Sequence, residues 1–209
     1  LRLRVSSGRE LTVPIGMRGK EVEVTCWRDQ CAAFDAGDDA AALLSDHLES
    51  PVRLVRFDVR RKRASNRDWT KEIEALTQFA DAFAWLAISQ VSLDDLNARL
   101  PEPLPMNRFR PNIVIEGLPA FGEDRVHELV GDGVRLRAVK ACTRCIVTTT
   151  NQATGRRDGD EPLRTLRQFR FDRELKGVTF GQNLILIEGA GRELRVGQEL
   201  AAVEKATAR

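Results

Sequence analysis

The 209-residue chain carries 33 Lys and Arg against 31 Asp and Glu, and 42% of it is hydrophobic. That length and apolar content suffice to bury a core without disulfide or metal staples, and the near balance of charge leaves no global field for nucleic acid or an anionic membrane. No apolar run approaches the roughly 20 residues of a membrane-spanning helix, and four cysteines in so long a chain read as reduced thiols rather than a disulfide framework, so a cytoplasmic protein is expected.

The chain opens Leu1-Arg2-Leu3-Arg4, with neither an initiator Met nor a basic-then-apolar leader, so its native N-terminus is not legible. Residues 1–5 and 10–13 alternate on either side of Ser6-Ser7-Gly8-Arg9 and predict a β-hairpin. Residues 21–27 alternate as cleanly and predict a half-buried strand. Asp38 is expected to cap a helix reaching Glu49, with Ala41, Leu44 and Leu48 on one face and Pro51 beyond its end. Residues 52–57 follow as a strand. From 59 to 69 the composition turns to Arg, Lys, Ser and Asn without periodicity, which predicts a mobile connection. The expected organisation is a small domain over 1–58, a basic connector over 59–75 and a main domain over 76–209.

The main domain begins with an apolar β-like run over 83–89, after which Ser92 is expected to cap a short helix to Leu100, stopped by Pro101, Pro103 and Pro105. Short strands are expected at 112–116, 134–139, 145–150, 184–188, 193–196 and 200–203, separated by glycines. Many short strands with few helices give an α+β, predominantly β chain with a barrel-like domain.

The sharpest chemical feature is Cys142-Thr143-Arg144-Cys145 leading into Ile146-Val147-Thr148-Thr149-Thr150. Zinc requires further ligands, yet only Cys26, Cys31, His47 and His127 remain. A dithiol redox motif belongs at a helix N-terminus in a βαβ unit, whereas this run precedes strand-like residues. A single thiolate metal ligand, favoured by Arg144, and two small buried hydrophobes both remain open.

A second constellation is Asn107-Arg108-Phe109-Arg110-Pro111-Asn112. Two guanidiniums flank a ring, Pro111 extends the backbone and Asn112 offers both donor and acceptor, which suits an anion or a heterocycle. A solvated loop whose arginines pair with Glu116 or Asp124 explains it equally well. The glycines of Gly177-Val178-Thr179-Phe180-Gly181 permit close approach to a ligand or form an ordinary turn. Arg60-Arg61-Lys62-Arg63 with Arg67 and Trp69 reads as a solvated connector, so no nucleic-acid partner and no membrane are expected. His47 and His127 have no catalytic companions in the pattern.

Taken in order, Ser89-Gln90-Val91-Ser92-Leu93-Asp94-Asp95-Leu96-Asn97, Asn107 to Asn112, Glu123-Asp124, Cys142 to Cys145, Thr154-Gly155, Glu161-Pro162-Leu163-Arg164-Thr165-Leu166, Phe180-Gly181-Gln182 and Val196-Gly197 resemble the MOSC family. The nearest likeness is to its bacterial and mitochondrial amidoxime-reducing members, and residues 1–57 resemble the later part of the family's N-terminal associated domain. The resemblance implies a MOSC-type β-barrel with a partial N-terminal α/β subdomain whose beginning lies before Leu1. It implies the molybdenum cofactor (Mo-molybdopterin), with Cys145 as the thiolate on the metal and as catalytic ligand, and Cys142 as a neighbour. Arg110 and Asn112 carry over as cofactor anchors, joined by Thr143, Arg144 and Ser89, while Phe180 and Gly181 close the pocket. Asn151 stands where relatives more often have Asp. The implied activity is reduction of N-hydroxylated small molecules such as amidoximes, hydroxylamines and N-hydroxylated bases. Its electrons come from an external reductase carrying flavin, haem or iron–sulfur, since this chain shows no further cysteine set and no nucleotide-binding glycine fingerprint. A non-catalytic cofactor-binding or carrier module is the alternative.

Overall fold

The computed structural model describes residues 1–16 and 19–206. Their contacts separate two units, one of Leu1–Ala64 with Leu76–Asp81, the other of Ser65–Ala75 with the described residues from Ala82 onward.

In the first unit β1 (Arg2–Arg4) and β2 (Glu10–Thr12) form the expected hairpin. β3 (Glu21–Cys26) pairs with β4 (Asp29–Asp35), which pairs with β5 (Val55–Phe57), both antiparallel. β4 has no strand signature in its Asp-Gln-Cys-Ala-Ala-Phe-Asp sequence, because its Ala and Asp are poor strand formers and its place between two partners makes it a strand. The helix α1 (Asp38–Leu48) starts one residue earlier in role than expected. Gly37 at φ +98° occupies the cap, its N–H donates to Asp35 Oδ1 at 2.7 Å, and Asp38 lies in the first turn, where its charge meets the positive helix end.

The basic stretch departs from a mobile connection. Arg63 and Ala64 form β6, paired with β7 (Leu76–Thr77), and Arg63 is buried. Its Nη1 donates to the carbonyls of Gln78 and Ala80, both at 2.6 Å, and its Nε to Asp29 at 2.7 Å. A guanidinium can be buried when carbonyls and a carboxylate saturate its donors, and composition does not reveal those acceptors.

The second unit contains the short helix α2 (Arg67–Thr70) and the main sheet. Six strands follow the order β14 (Ala201–Glu204), β10 (Val126–Gly131), β11 (Val134–Thr143), β13 (Gly177–Glu188), β8 (Trp85–Ser89) and β9 (Ile113–Ile115), with β12 (Phe171–Asp172) added to β13. All pairs are antiparallel except β8 with β9. The register of β11 against β13 slips at three places, and each irregularity bends and twists the pair, so the sheet curls into a half-barrel. The chain is thus predominantly β within an α+β class, as its pattern of short strands predicts.

Three buried apolar clusters explain the continuous apolar runs, the smallest of them Ala75, Phe83 and Ile185. One face of the sheet packs Ala87, Leu129, Leu136 and Leu184 together. The other packs Ile88, Phe109, Val178 and Phe180 against Leu93 and Leu96 of α3 (Gln90–Asn97) and Leu166 of α4 (Leu163–Phe169). β8 and β13 are therefore apolar on both faces, which removes the alternation that marks a half-buried strand. Residues 193–196 form no strand, and residues 177–183, expected as a turn, are the first half of β13.

Candidate functional site

Cys145 lies two residues beyond the end of β11 and its residue is exposed. The strand expected from it is instead a turn of 3-10 helix over Ile146–Thr149. The threonines cause this: Thr148 Oγ1 donates to the Cys145 carbonyl at 2.9 Å and Thr149 Oγ1 to that of Ile146 at 2.8 Å, alongside the backbone bond from Thr148 N to Cys145 O. Hydroxyls that bond neighbouring carbonyls compete with a strand ladder. Both threonines are buried, while Ile146 and Val147 are exposed beside the thiol.

Arg144 fixes the other side of the cysteine. Its N–H donates to Val178 O at 2.7 Å, its Nη2 to Phe109 O at 2.6 Å and its Nη1 to Cys142 Sγ at 3.0 Å, with the guanidinium also over the Phe109 ring. The cysteine loop is thereby tied to the Asn107 to Asn112 segment. Phe109 is fully buried and its ring lies 4.5 Å from that of the equally buried Phe180, so Phe180 packs in the core rather than facing solvent. Thr143 pairs with Thr179 on β13 and is exposed.

Of the two arginines flanking Phe109, Arg108 is buried and meets Asp158 at 3.4 Å. Neither guanidinium pairs with Glu116 or Asp124. Arg110 is exposed, with no ion-pair partner among the described residues. Its φ of +54° is unusual for any side-chain-bearing residue, more so before a proline, which ordinarily forces extended backbone. Asn112 uses both its amide and its side chain on Leu86, whose carbonyl accepts from Asn112 N at 2.9 Å and whose N–H donates to Asn112 Oδ1 at 2.8 Å. This seats the first residue of the parallel β8/β9 pair.

Gly181 has a structural reason that the sequence leaves open. At φ +82°, a Cβ there would lie 2.6 Å from Ile88 Cγ1 and 2.8 Å from Ala87 O, so its bare backbone lets β13 approach β8. Because Gln182 pairs with Ala87 and Thr179 with Thr143, the register carries the end of β8, at Ser89, to the same end of the sheet as Thr143.

Two atoms of the expected set are buried without a hydrogen-bond partner, the Ser89 hydroxyl and Arg144 Nε. Among the described residues, five further side-chain atoms outside the expected set share that state, so it does not by itself mark a site. The donor set of the expected residues, an exposed soft thiol at Cys145 and an exposed guanidinium at Arg110, is of the kind that suits an anionic group with a thiophilic metal.

Sequence reasoning assigned no site role to three acidic residues, two of which, Glu123 and Asp124, stand among the motifs it quoted. Asp158 receives Arg108. Glu123 is almost fully buried, accepting from Ser89 N at 3.3 Å and from Ser92 Oγ at 2.7 Å, and burial pushes its carboxyl above the usual range. Ser92 therefore does not cap the helix as expected; Ser89 occupies the cap position. Asp124 borders a separate cavity of about 350 Å³, where Arg170 grips it through two nitrogens at 2.6 and 3.1 Å and Gln182 Nε2 donates to it at 2.7 Å. None of the expected site residues lines that cavity.

Residues 75–201 match the sequence model of the MOSC domain family. Among curated proteins, the chain is similar to mitochondrial amidoxime-reducing component 1 of Mus musculus, with 40% identity over 139 residues, 65% of this chain and 41% of that protein. The component 1 of Homo sapiens is 37% identical over 161 residues, 73% of this chain and 48% of that protein. That of Xenopus laevis is 33% identical over 175 residues, 81% and 51% respectively. The chain thus spans about half the length of these relatives. Their names correct the expectation of a cytoplasmic protein, because each is called mitochondrial. Unpaired cysteines separate reducing from oxidising compartments and cannot tell one reducing compartment from another.

Proposed function

The chain belongs to the MOSC domain family, which is associated with binding of the molybdenum cofactor, and from this we propose that it forms the cofactor-binding part of a reductase of N-hydroxylated compounds, with Cys145 as the molybdenum thiolate. The relatives named amidoxime-reducing components support the substrate class of amidoximes, hydroxylamines and N-hydroxylated bases. When bound, the cofactor supplies two-electron removal of oxygen from the N–O group.

The observation that carries this reading is the junction of two motifs remote in sequence, made where Arg144 donates to the carbonyl of Phe109. The exposed Cys145 offers the soft donor that a thiophilic metal takes. The Arg110 guanidinium is available to grip the cofactor's phosphate through two nitrogens. Arg144, held at both ends of its fork, and Ser89 each retain an unpaired polar atom, Nε and Oγ, that this reading assigns to the bound group. Thr143 and the Asn112 side chain contribute at the rim, while Phe180 and Gly181 keep the floor of the site rigid. An external electron-donor reductase is part of this reading.

A cofactor carrier without catalysis is the second reading, favoured by the open position of Cys145 on the surface, which would let the cofactor be handed on. The test is to purify the chain and a Cys145→Ser variant from a host that makes the cofactor, then measure molybdenum and pterin per chain. Loss of metal in the variant, with reduction of benzamidoxime by the unaltered chain and a dye donor, is expected. Equal metal in both removes Cys145 as ligand, and bound metal without reduction of any N-hydroxylated substrate favours the carrier.

A further inference from the structure

Of the four residues that follow Cys145, Thr148 and Thr149 are buried, whereas Ile146 and Val147 stand 52% and 42% exposed. The polar pair lies inside and the apolar pair outside, the reverse of what partition between water and core favours. Single exposed aliphatic residues are ordinary on any surface, but these two are neighbours and directly adjoin the exposed cysteine.

The turn is held in this orientation by its own hydrogen bonds. Thr148 donates to Cys145 O through both Oγ1, at 2.9 Å, and N, at 3.1 Å, and Thr149 Oγ1 donates to Ile146 O at 2.8 Å. Thr150 N donates to Val147 O, and Asp158 N reaches Thr149 O from the returning chain, both at 3.1 Å. The carbonyls of Cys145, Ile146 and Val147 thus each accept a bond from within the turn. What this stretch offers a small molecule is aliphatic surface. A turn fixed in this way has little left to order on contact, which makes that surface a preformed one.

We propose that Ile146 and Val147 determine substrate choice: they form the platform on which the apolar body of the substrate rests while its N–O group lies toward Cys145, which selects aryl and alkyl amidoximes over N-hydroxylated bases. This deepens the reductase reading above and rests on it. Contact between hydrocarbon surfaces is non-directional and grows with area, so the platform rewards a longer or broader body and places no demand on polar groups. The contact is made before reaction as well as during it, so it acts on KM more than on kcat.

The experiment follows reduction of acetamidoxime, butyramidoxime, hexanamidoxime and benzamidoxime by the cofactor-loaded chain with a dye donor. It is repeated with Ile146→Ser/Val147→Ser and with the conservative Ile146→Val/Val147→Ile. Molybdenum per chain, melting temperature and the dissociation constant of benzamidine, the product of benzamidoxime reduction, are measured beside the rates. In the unaltered chain kcat/KM should rise about two- to fourfold per added methylene, the upper value corresponding to full burial of that group. The serine variant should flatten the rise and weaken both KM for benzamidoxime and the affinity for benzamidine by about tenfold, the scale of discrimination that one or two methylenes supply. The conservative variant should keep the slope. A flat series in the unaltered chain, or a slope that survives the serine substitutions, would overturn the platform and leave the reductase reading intact. Loss of molybdenum in the serine variant would do the same, since the pair would then belong to the cofactor's seat. A metal-loaded chain that reduces none of the amidoximes would overturn the reductase reading and the platform together. If the double serine variant does not fold, Val147→Thr, which keeps the side chain's shape, stands in its place, with a smaller loss expected and the same outcomes overturning the platform.

Discussion

Arg144 and Phe109 are 35 residues apart in the chain, and the Nη2 of the first lies 2.6 Å from the carbonyl oxygen of the second. This bond holds the cysteine loop against the loop that presents Arg110, and the same guanidinium touches Cys142 Sγ. A lysine cannot reproduce a fork that reaches both groups. Arg144→Lys should lower unfolding stability by about 1–3 kcal/mol, the cost of leaving a buried acceptor unpaired. Denaturant titration checks this, and unchanged stability would mean that the two loops are held by other contacts.

The four cysteines should differ in reactivity by position. Cys145 is exposed, Cys26 and Cys142 are half-buried, and Cys31 is buried with its thiol pushed up mainly by desolvation. Thiolate character and access set alkylation rates. Iodoacetamide at neutral pH, followed by peptide mass spectrometry, should label Cys145 first and Cys31 last. Early labelling of Cys31 in the folded chain would contradict its burial.

Gly181→Ala should damage the sheet rather than the chemistry. The new methyl would press on Ile88 and the Ala87 carbonyl, at a backbone angle disfavoured for alanine. A loss of roughly 1–3 kcal/mol is expected from the strained conformation, with faster amide exchange in β8 and β13 as the local signature. A neutral outcome would place the glycine's role at a ligand instead.

The acid limb of stability should carry the mark of Asp58. Hydrogen bonds from the Arg60 guanidinium and backbone depress its carboxyl to about 2. A carboxyl depressed in the folded state adds stability that is complete above its unfolded value and disappears as pH falls through the folded one. Between pH 4 and pH 2 the melting temperature of the unaltered chain should therefore drop more steeply than that of Asp58→Asn. Parallel slopes would show that Asp58 keeps the same affinity for its proton in both states.

The sequence alone determined a β-rich domain, the cysteine run, the Arg-Phe-Arg-Pro-Asn segment and the order of motifs that marks the family. These are legible because burial periodicity, turn chemistry and short spacings are local properties. Tertiary structure decided the roles within them. Thr148 and Thr149 turn an expected strand into a 3-10 turn at Cys145; Glu123, 31 residues beyond Ser92, takes that serine's hydroxyl; Arg63 is buried by two carbonyls that no composition announces. The physical reason is common to all three. A pattern of residue types states which groups need hydrogen-bond partners, and only the folded chain determines which distant atoms supply them and which, like the Ser89 hydroxyl, are left free.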